Sequence, residues 1–318
     1  MKLRELYQSA IDQGIAADPR PRAEIDAALA REQAAYDKLT GVDREVYDTE
    51  RLSNPYADTR INVGDPDTEI KGLIVGIDME VGEVMLTQHL RDAGEPIDLI
   101  LTHHPSGPGL ANIDLVMPVQ ADMWIATGVS ASIADTLIGP HAAKTRRDFA
   151  PYNHYRPIDA CRLLGIPLMS CHTPADNSVQ QFVQAHIDAA APRTLDDLRL
   201  ALLDIPEYLD AAKKGYGPLA FQGEPSVRCG KIVVEMTGGV EGPTAALERM
   251  AAAGVGTVVG MHYGEEHRKK AEELGINLMV AGHMSSDTIG MNLVLDAVER
   301  AHGPLQVTCA SGTIRVKR

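Results

Sequence analysis

The sequence is short of aromatic rings, of positive charge and of long apolar runs, and each shortage removes a class of function. Phe, Tyr and Trp make up 4% of the 318 residues, too little for the stacking platforms that hold single-stranded nucleic acid. Lys and Arg number 30 against 44 Asp and Glu, a formal charge of -14, so no partner held by counterion release from phosphates is expected. No stretch approaches the ~20 consecutive apolar residues of a membrane helix, and the N-terminal stretch has no apolar signal core. Cys161, Cys171, Cys229 and Cys309 show no Cys-x-x-Cys spacing and stand in or beside apolar runs, which reads as reduced core thiols. The expectation is a cytoplasmic protein with neither a nucleic-acid nor a membrane partner.

What is present is a change of texture near residue 70. Residues 1–68 carry apolar positions such as Leu3, Leu6, Ala10, Ile25 and Leu29 at three- and four-residue spacing, which predicts a helical N-terminal extension. Gly14 and Pro19-Arg20-Pro21 are expected to separate its helices, and the whole reads as an accessory lobe that packs or oligomerises. From 69 to 318, short β-rich runs alternate with amphipathic stretches. Strands are expected at 72–78, 96–103, 165–171, 231–236, 256–261, 276–282 and 304–309, and helices at 81–93, 243–253, 265–274 and 286–301. Near-continuous apolar strands belong to sheets covered on both faces, so the fold class is α/β with largely parallel sheets. Residues 72–104 and 231–262 share a strand, helix, strand layout ending on histidine, a sign of two βαβ-containing halves. Between them, about 111–165 is expected to be a long insertion or loop over the sheet.

Ligands of open α/β sheets gather at the carboxyl ends of strands, and three histidine sites fall there. The first is His103-His104 in LILTHHP, the second His172 in CHTPAD, and the third His283 in GHMSSD. The second and third have the form His-x-x-x-Asp, which in a helical turn brings an imidazole and a carboxylate, Asp176 or Asp287, to one face. Nitrogen with carboxylate oxygen suits zinc, manganese or iron, whereas magnesium and calcium prefer oxygen alone. Without a cysteine ligand at the three sites, an open catalytic centre is favoured over a closed structural one.

Other signals are subordinate. His262 and His267 lack the spacing of a metalloprotease helix, and His262 is read as a substrate contact near the metal edge. His141, Lys144, Arg146 and Arg147 form a basic cluster in an acidic chain, with Lys144 and Arg146 read as candidate substrate-binding cations. MTGGVEGP at 236–243 is a glycine-rich turn whose amides suit a phosphate, although Glu241 would oppose one.

The order and spacing of KGLIVGID, LILTHHP, SCHTPADN and VVGMHYGEEHRKKAEELGINLMVAGHMSSD resemble the Nif-three-like proteins, also called GTP cyclohydrolase 1 type 2 homologues. The resemblance covers roughly residues 70–300. It implies a Nif-three-like fold with a dinuclear metal centre between two lobes, holding two divalent ions per subunit through His103, His104, Asp176, His283 and Asp287. His172 matches a histidine at the site edge and is the candidate catalytic residue. Asp287 stands where the family usually has glutamate. The implied function is metal-dependent hydrolysis of a small nucleotide-like substrate, in the family's named form the ring-opening of GTP, by a homohexamer. The same ligands leave open a phosphoester or nucleotide hydrolase and a non-enzymatic metal-binding regulatory protein.

Overall fold

Apolar strands need cover on both faces, and the chain supplies it by building two sheets and threading helices between and around them. In the computed structural model, which describes residues 1–318, the first sheet contains β1 (Arg60–Val63), β2 (Gly72–Gly76), β3 (Leu99–Thr102), β4 (Leu168–Ser170) and β9 (Gln306–Cys309). Their spatial order is β1-β4-β3-β2-β9, with β1 antiparallel to β4 and the other pairs parallel. The second sheet contains β5 (Leu219–Gln222), β6 (Lys231–Glu235), β7 (Val255–Gly260) and β8 (Asn277–Val280), in the order β5-β8-β7-β6. Again one edge strand is antiparallel and the rest are parallel. All seven expected strands form. The two antiparallel edges, β1 and β5, went unread because their residues are mostly half-exposed and carry no apolar run.

The internal repeat is deeper than the two βαβ units suggest. α4 (Val81–Asp92) connects β2 to β3, and α12 (Thr244–Ala252) connects β6 to β7. In each half the next parallel strand, β4 or β8, feeds a long helix: α9 (Thr173–Ala190) or α14 (His283–His302). α13 (Glu265–Leu274) covers the second sheet, and α10 (Leu195–Leu203) and α11 (Pro206–Lys213) bridge the halves. The last helix begins at His283, not near residue 286, so His283 and Asp287 lie one turn apart on it.

Residues 1–68 are not a separate lobe. α1 (Leu3–Ala17) packs on α9 and α14, and its Leu3, Leu6 and Ala10 are buried in one core with Leu73, Leu99, Met169 and Leu295. Gly14 does not break α1: a Cβ there would lie 2.7 Å from the Cβ of Pro174, so the missing side chain lets α1 close on α9. Only α2 (Arg22–Tyr36), whose one buried residue is Ile25, and α3 (Gly41–Glu45) stand outside the core. The 111–165 segment is likewise not a loop. It holds most of a run of four helices, α5 (Pro108–Ala111), α6 (Pro118–Thr127), α7 (Ala131–Phe149, with Pro140 inside it) and α8 (Arg156–Leu164). α6 and α7 share a core with the second sheet through Trp124, Ala134, Ile138, Leu247 and Val258, while α8 packs on α4. Cys161, Cys171 and Cys229 are buried as expected, but Cys309, on the edge strand β9, is exposed. No helix is long and apolar enough to cross a membrane.

α9 and α14 lie against each other at Gly290, where a Cβ would come within 2.4 Å of the Ala175 carbonyl oxygen. Alanine there gains about 1 kcal/mol of helix propensity but incurs roughly 1–3 kcal/mol of overpacking against backbone. Gly290→Ala is therefore expected to lower unfolding free energy by up to about 2 kcal/mol. Gly82→Ala, at an exposed position in the first turn of α4 with open space around it, should raise it by up to about 1 kcal/mol. Equilibrium denaturation of both variants checks the pair; equal shifts would refute the close-contact account.

Candidate metal centre

The site forms where the parallel strands of the first sheet end and the two long helices begin. His103 and His104 continue β3 beyond its last residue, their backbone amides donating to the carbonyls of Gly76 and Ile77. The chain then turns at Pro105, and the two imidazoles lie 5.1 Å apart, centre to centre. His172 stands immediately before α9, and Asp176 is in the first turn. His283 opens α14, and Asp287 follows one turn later. Four histidine rings thus form a continuous wall, with His103 to His172 at 4.8 Å and His104 to His283 at 5.3 Å.

Each ring of the inner three is held by its Nδ1, which leaves Nε2 turned inward. His103 Nδ1 donates to the Cys171 carbonyl at 3.2 Å, His104 Nδ1 to Asp78 Oδ1 at 2.7 Å, and His172 Nδ1 to Asp58 Oδ2 at 2.9 Å. Such outer partners fix the tautomer and aim the free nitrogen at a metal. The Nε2 atoms then face carboxylates at distances too long for hydrogen bonds. His103 Nε2 lies 3.4 Å from Asp176 Oδ1 and 3.5 Å from Asp287 Oδ1. His104 Nε2 and His283 Nε2 lie 3.7 and 3.5 Å from the other oxygen, Asp287 Oδ2. Both Asp287 oxygens and Asp176 Oδ1 are buried without a hydrogen-bond partner.

An unpaired buried carboxylate is costly, and this chain leaves two side by side. Two ligands sharing one tetrahedral ion at ~2.0–2.1 Å sit about 3.3–3.4 Å apart, close to the spacing seen between these nitrogens and oxygens. The donor set therefore fits metal. It forms three overlapping triads: His103, Asp176 and Asp287; His104, His283 and Asp287; and His103, His104 and His172, the first two joined through Asp287. α14 begins at His283 and carries Asp287 one turn on, where its oxygens face His103, His104 and His283.

The protonation states are polarised. Burial pushes His103 down to about 4, which keeps it neutral, and also lowers His283. Burial opposes ionisation of Asp287, but His103, His283 and His104 hold its carboxyl down to about 2. Burial raises Asp176 well above the ordinary carboxylate range. His172 is lowered by burial, but Asp176 and Asp58 outweigh that and raise it to about 9.

The expected ligands His103, His104, Asp176, His283 and Asp287 and the expected catalytic His172 all converge, and His262 lines the same cleft with its ring 4.8 Å from His283. Lys144 and Arg146 do not line it. Both are exposed on α7, and Lys144 pairs with Asp148 at 2.5 Å, because helical periodicity turns that face to solvent. His267 is a structural contact, its Nε2 2.8 Å from the Gly242 carbonyl. The sequence reading missed Asp58, which anchors His172 and Thr173 from the segment before β1. It also missed Asp78, just beyond β2, whose place at a strand end was the available signal. The cleft measures about 390 Å³ and reaches from the histidines to the 235–242 turn and the loop after β7.

The sign of the shifts gives a pH dependence for metal-free protein. His172 is raised, so its contribution to stability is complete below its ordinary value near 6.5 and is lost as pH rises through about 9. Asp176, also raised, loses its contribution in the same direction, whereas Asp287 and His103 act only toward acid. The melting temperature without metal should fall by several degrees between pH 6.5 and 9, and His172→Gln should flatten that fall. A flat wild-type profile would count against the charged His172.

No family model and no curated protein matches the sequence. Among solved structures, the fold matches a NIF3 superfamily protein from Sphaerobacter thermophilus with a TM-score of 0.71 at 26% identity, over 82% of this chain and 93% of that one. TTHA1606 from Thermus thermophilus matches at 16% identity and TM-score 0.47, over 88% and 95% of the two chains. Protein ybgI, described as of unknown function, matches at 15% and 0.47, over 89% and 97%. These two likenesses are too distant to bear on function. With two mostly parallel sheets, long helices starting at their edges and a His/Asp cluster between them, the chain has a fold similar to that of the NIF3 superfamily protein.

Proposed function

We propose that the chain is a dinuclear-metal-dependent hydrolase acting on a C–N bond of a small molecule, of the ring-opening type that the name GTP cyclohydrolase describes. The observation that carries this reading is Asp287, buried with neither oxygen hydrogen-bonded, one facing His103 and the other facing His104 and His283. Two divalent ions held there would supply Lewis acidity and acidify a water at neutral pH. The remaining work belongs to the protein. Thr173 donates its hydroxyl proton to Asp58 at 2.6 Å, and Asp58 in turn fixes His172. His172, held through Nδ1, presents Nε2 at the cleft, where a leaving nitrogen requires a proton. Leu110, Ile113, Phe149, Val240 and Met261 give the cleft apolar walls that limit water.

The cleft also weighs between alternatives. Its size suits a bound small molecule, which favours an enzyme over a purely regulatory metal site. It is lined by Asp78, Glu80, Asp176, Glu235, Glu241 and Asp287 and by no lysine or arginine, which disfavours a phosphoester substrate held through its anionic oxygens. Self-association into a homohexamer belongs to the same reading. The exposed Val81, Met85 and Leu86 of α4 and Leu163 of α8 are apolar surface for a second copy to cover.

Purified protein is expected to hold two metal ions per chain by elemental analysis. His104→Ala and His283→Ala should each fall toward one, and Asp287→Asn, which joins two of the triads, toward none. Offered guanosine beside GTP, metal-loaded protein should release formate from the uncharged nucleoside at least as readily as from the triphosphate, with no phosphate from the latter, while Asp287→Asn should lose at least about a hundredfold in rate. Unchanged metal content in a folded Asp287→Asn variant would sink the dinuclear assignment, and phosphate without formate would favour phosphoester hydrolysis.

A further inference from the structure

The cleft has a second polar end that the metal chemistry does not use. Glu235 closes β6, and its Oε1 accepts from Trp124 Nε1 at 2.8 Å. Gln120, on α6, is 1% exposed; its Nε2 donates to the Val240 carbonyl at 2.5 Å, while its Oε1 is buried without a partner. Tyr263, in the loop after β7, has a buried hydroxyl that is also unpartnered. All three line the cleft. Glu235 Oε1 and Gln120 Oε1 face the same spot, since a Cβ built on Gly242 would lie 3.1 Å from the first and 3.8 Å from the second. The glycine-rich 236–243 turn makes this possible: Gly238, at φ +101°, lets the Gln120 side chain lie where a Cβ would come within 2.4 Å of it.

We propose that Gln120, Glu235 and Tyr263 form the substrate-recognition subsite of this cleft, taking an amidine- or guanidinium-type group rich in N–H donors. The proposal rests on the hydrolase reading and narrows its substrate class. An unpaired amide oxygen and a carboxylate together accept several N–H bonds and donate none, so they select a donor-rich partner. The Tyr263 hydroxyl completes the set, either accepting a further N–H or donating to a substrate oxygen. Burial raises Glu235 above the ordinary carboxylate range, only partly offset by Trp124 and His267, so a cationic planar partner relieves a strained charge. The position of Glu241 on the same wall argues the same way, and against the phosphate that the glycine-rich turn alone would suggest.

Trp124 is the only tryptophan of the chain and bonds directly to Glu235, so its emission reports on the subsite. Metal-loaded protein titrated with methylguanidine should show a saturable change in that emission, and inorganic phosphate at equal ionic strength should show none. Glu235→Gln is expected to remove the saturable response. Tyr263→Phe, which deletes a hydroxyl with no protein partner, should weaken binding by roughly three- to tenfold without lowering the melting temperature. It keeps the test open should Glu235→Gln fail to fold. A linear response, equal saturation by phosphate, or Tyr263→Phe with wild-type affinity overturns the subsite. Metal content measured on the same samples separates the two readings. Full metal without a saturable response sinks the subsite alone; a saturable response in protein that takes up no metal sinks the hydrolase assignment and leaves the subsite standing.

Discussion

A carboxylate with both oxygens buried and neither hydrogen-bonded is the interaction on which this structure turns. Asp287 would be expelled or protonated in an apolar core, because desolvating an ion without partners costs several kcal/mol. It is tolerated here because three imidazoles face it, and they hold its carboxyl down to about 2 against the opposing effect of burial. Those imidazoles are not free to move toward it. His103 and His104 are tied back through Nδ1 to Cys171 and Asp78, so the gaps of 3.5 and 3.7 Å to Asp287 stay wider than hydrogen bonds. The fold thus keeps imidazole nitrogens close to the carboxylate but leaves room between them for a cation.

Holding that gap requires two helices to begin at the same place, and the internal repeat provides this. β4 and β8 each end on a chain that turns directly into a long helix, and in each the first turn carries a histidine followed four residues later by an aspartate. The halves are not equivalent in use. In α14 the aspartate takes the central position between rings, whereas in α9 the histidine is charged and bound to Asp58, and Asp176 faces one triad only. The asymmetry comes from outside the repeat, through the segment before β1, which has taken Asp58 to the start of α9. Contact between the two helices at Gly290 and Ala175 fixes the separation of their aspartates, so packing far from solvent sets ligand geometry.

Most of the framework was legible because its signals are local. β2, β3, β4, β7 and β8 are mostly buried and rich in apolar residues, and the tandem histidines, HTPAD and HMSSD announce themselves at strand ends. What was not legible depends on contacts between distant segments. β1 and β5 are half-exposed edges whose pairing is fixed only by the neighbour they join. Asp58 is one acidic residue in a turn-rich stretch, and nothing near it in sequence points to His172, 114 positions away. Lys144 and Arg146 misled for the opposite reason. A basic cluster in an acidic chain suggested a ligand, but its surroundings are an exposed helix face with Asp148 one turn on.

The same reasoning applies to charge on the scale of the whole cleft. A net charge of -14 would by itself repel an anionic substrate, and the cleft offers no lysine or arginine to reverse that locally. Cations at the histidine end would offset Asp176 and Asp287 but leave Glu235 and Glu241, at the other wall, facing only Trp124, the Gly264 amide and His267. A buried glutamate with no lysine or arginine near it, beside an unpaired amide oxygen, suits a donor at the far end. The two ends of the cleft therefore demand opposite chemistry from one molecule: an electron-rich atom toward the histidines and N–H groups toward Gln120 and Glu235. A compact nitrogen-rich molecule that is itself hydrolysed at a C–N bond meets both demands, whereas a simple phosphoester meets only the first.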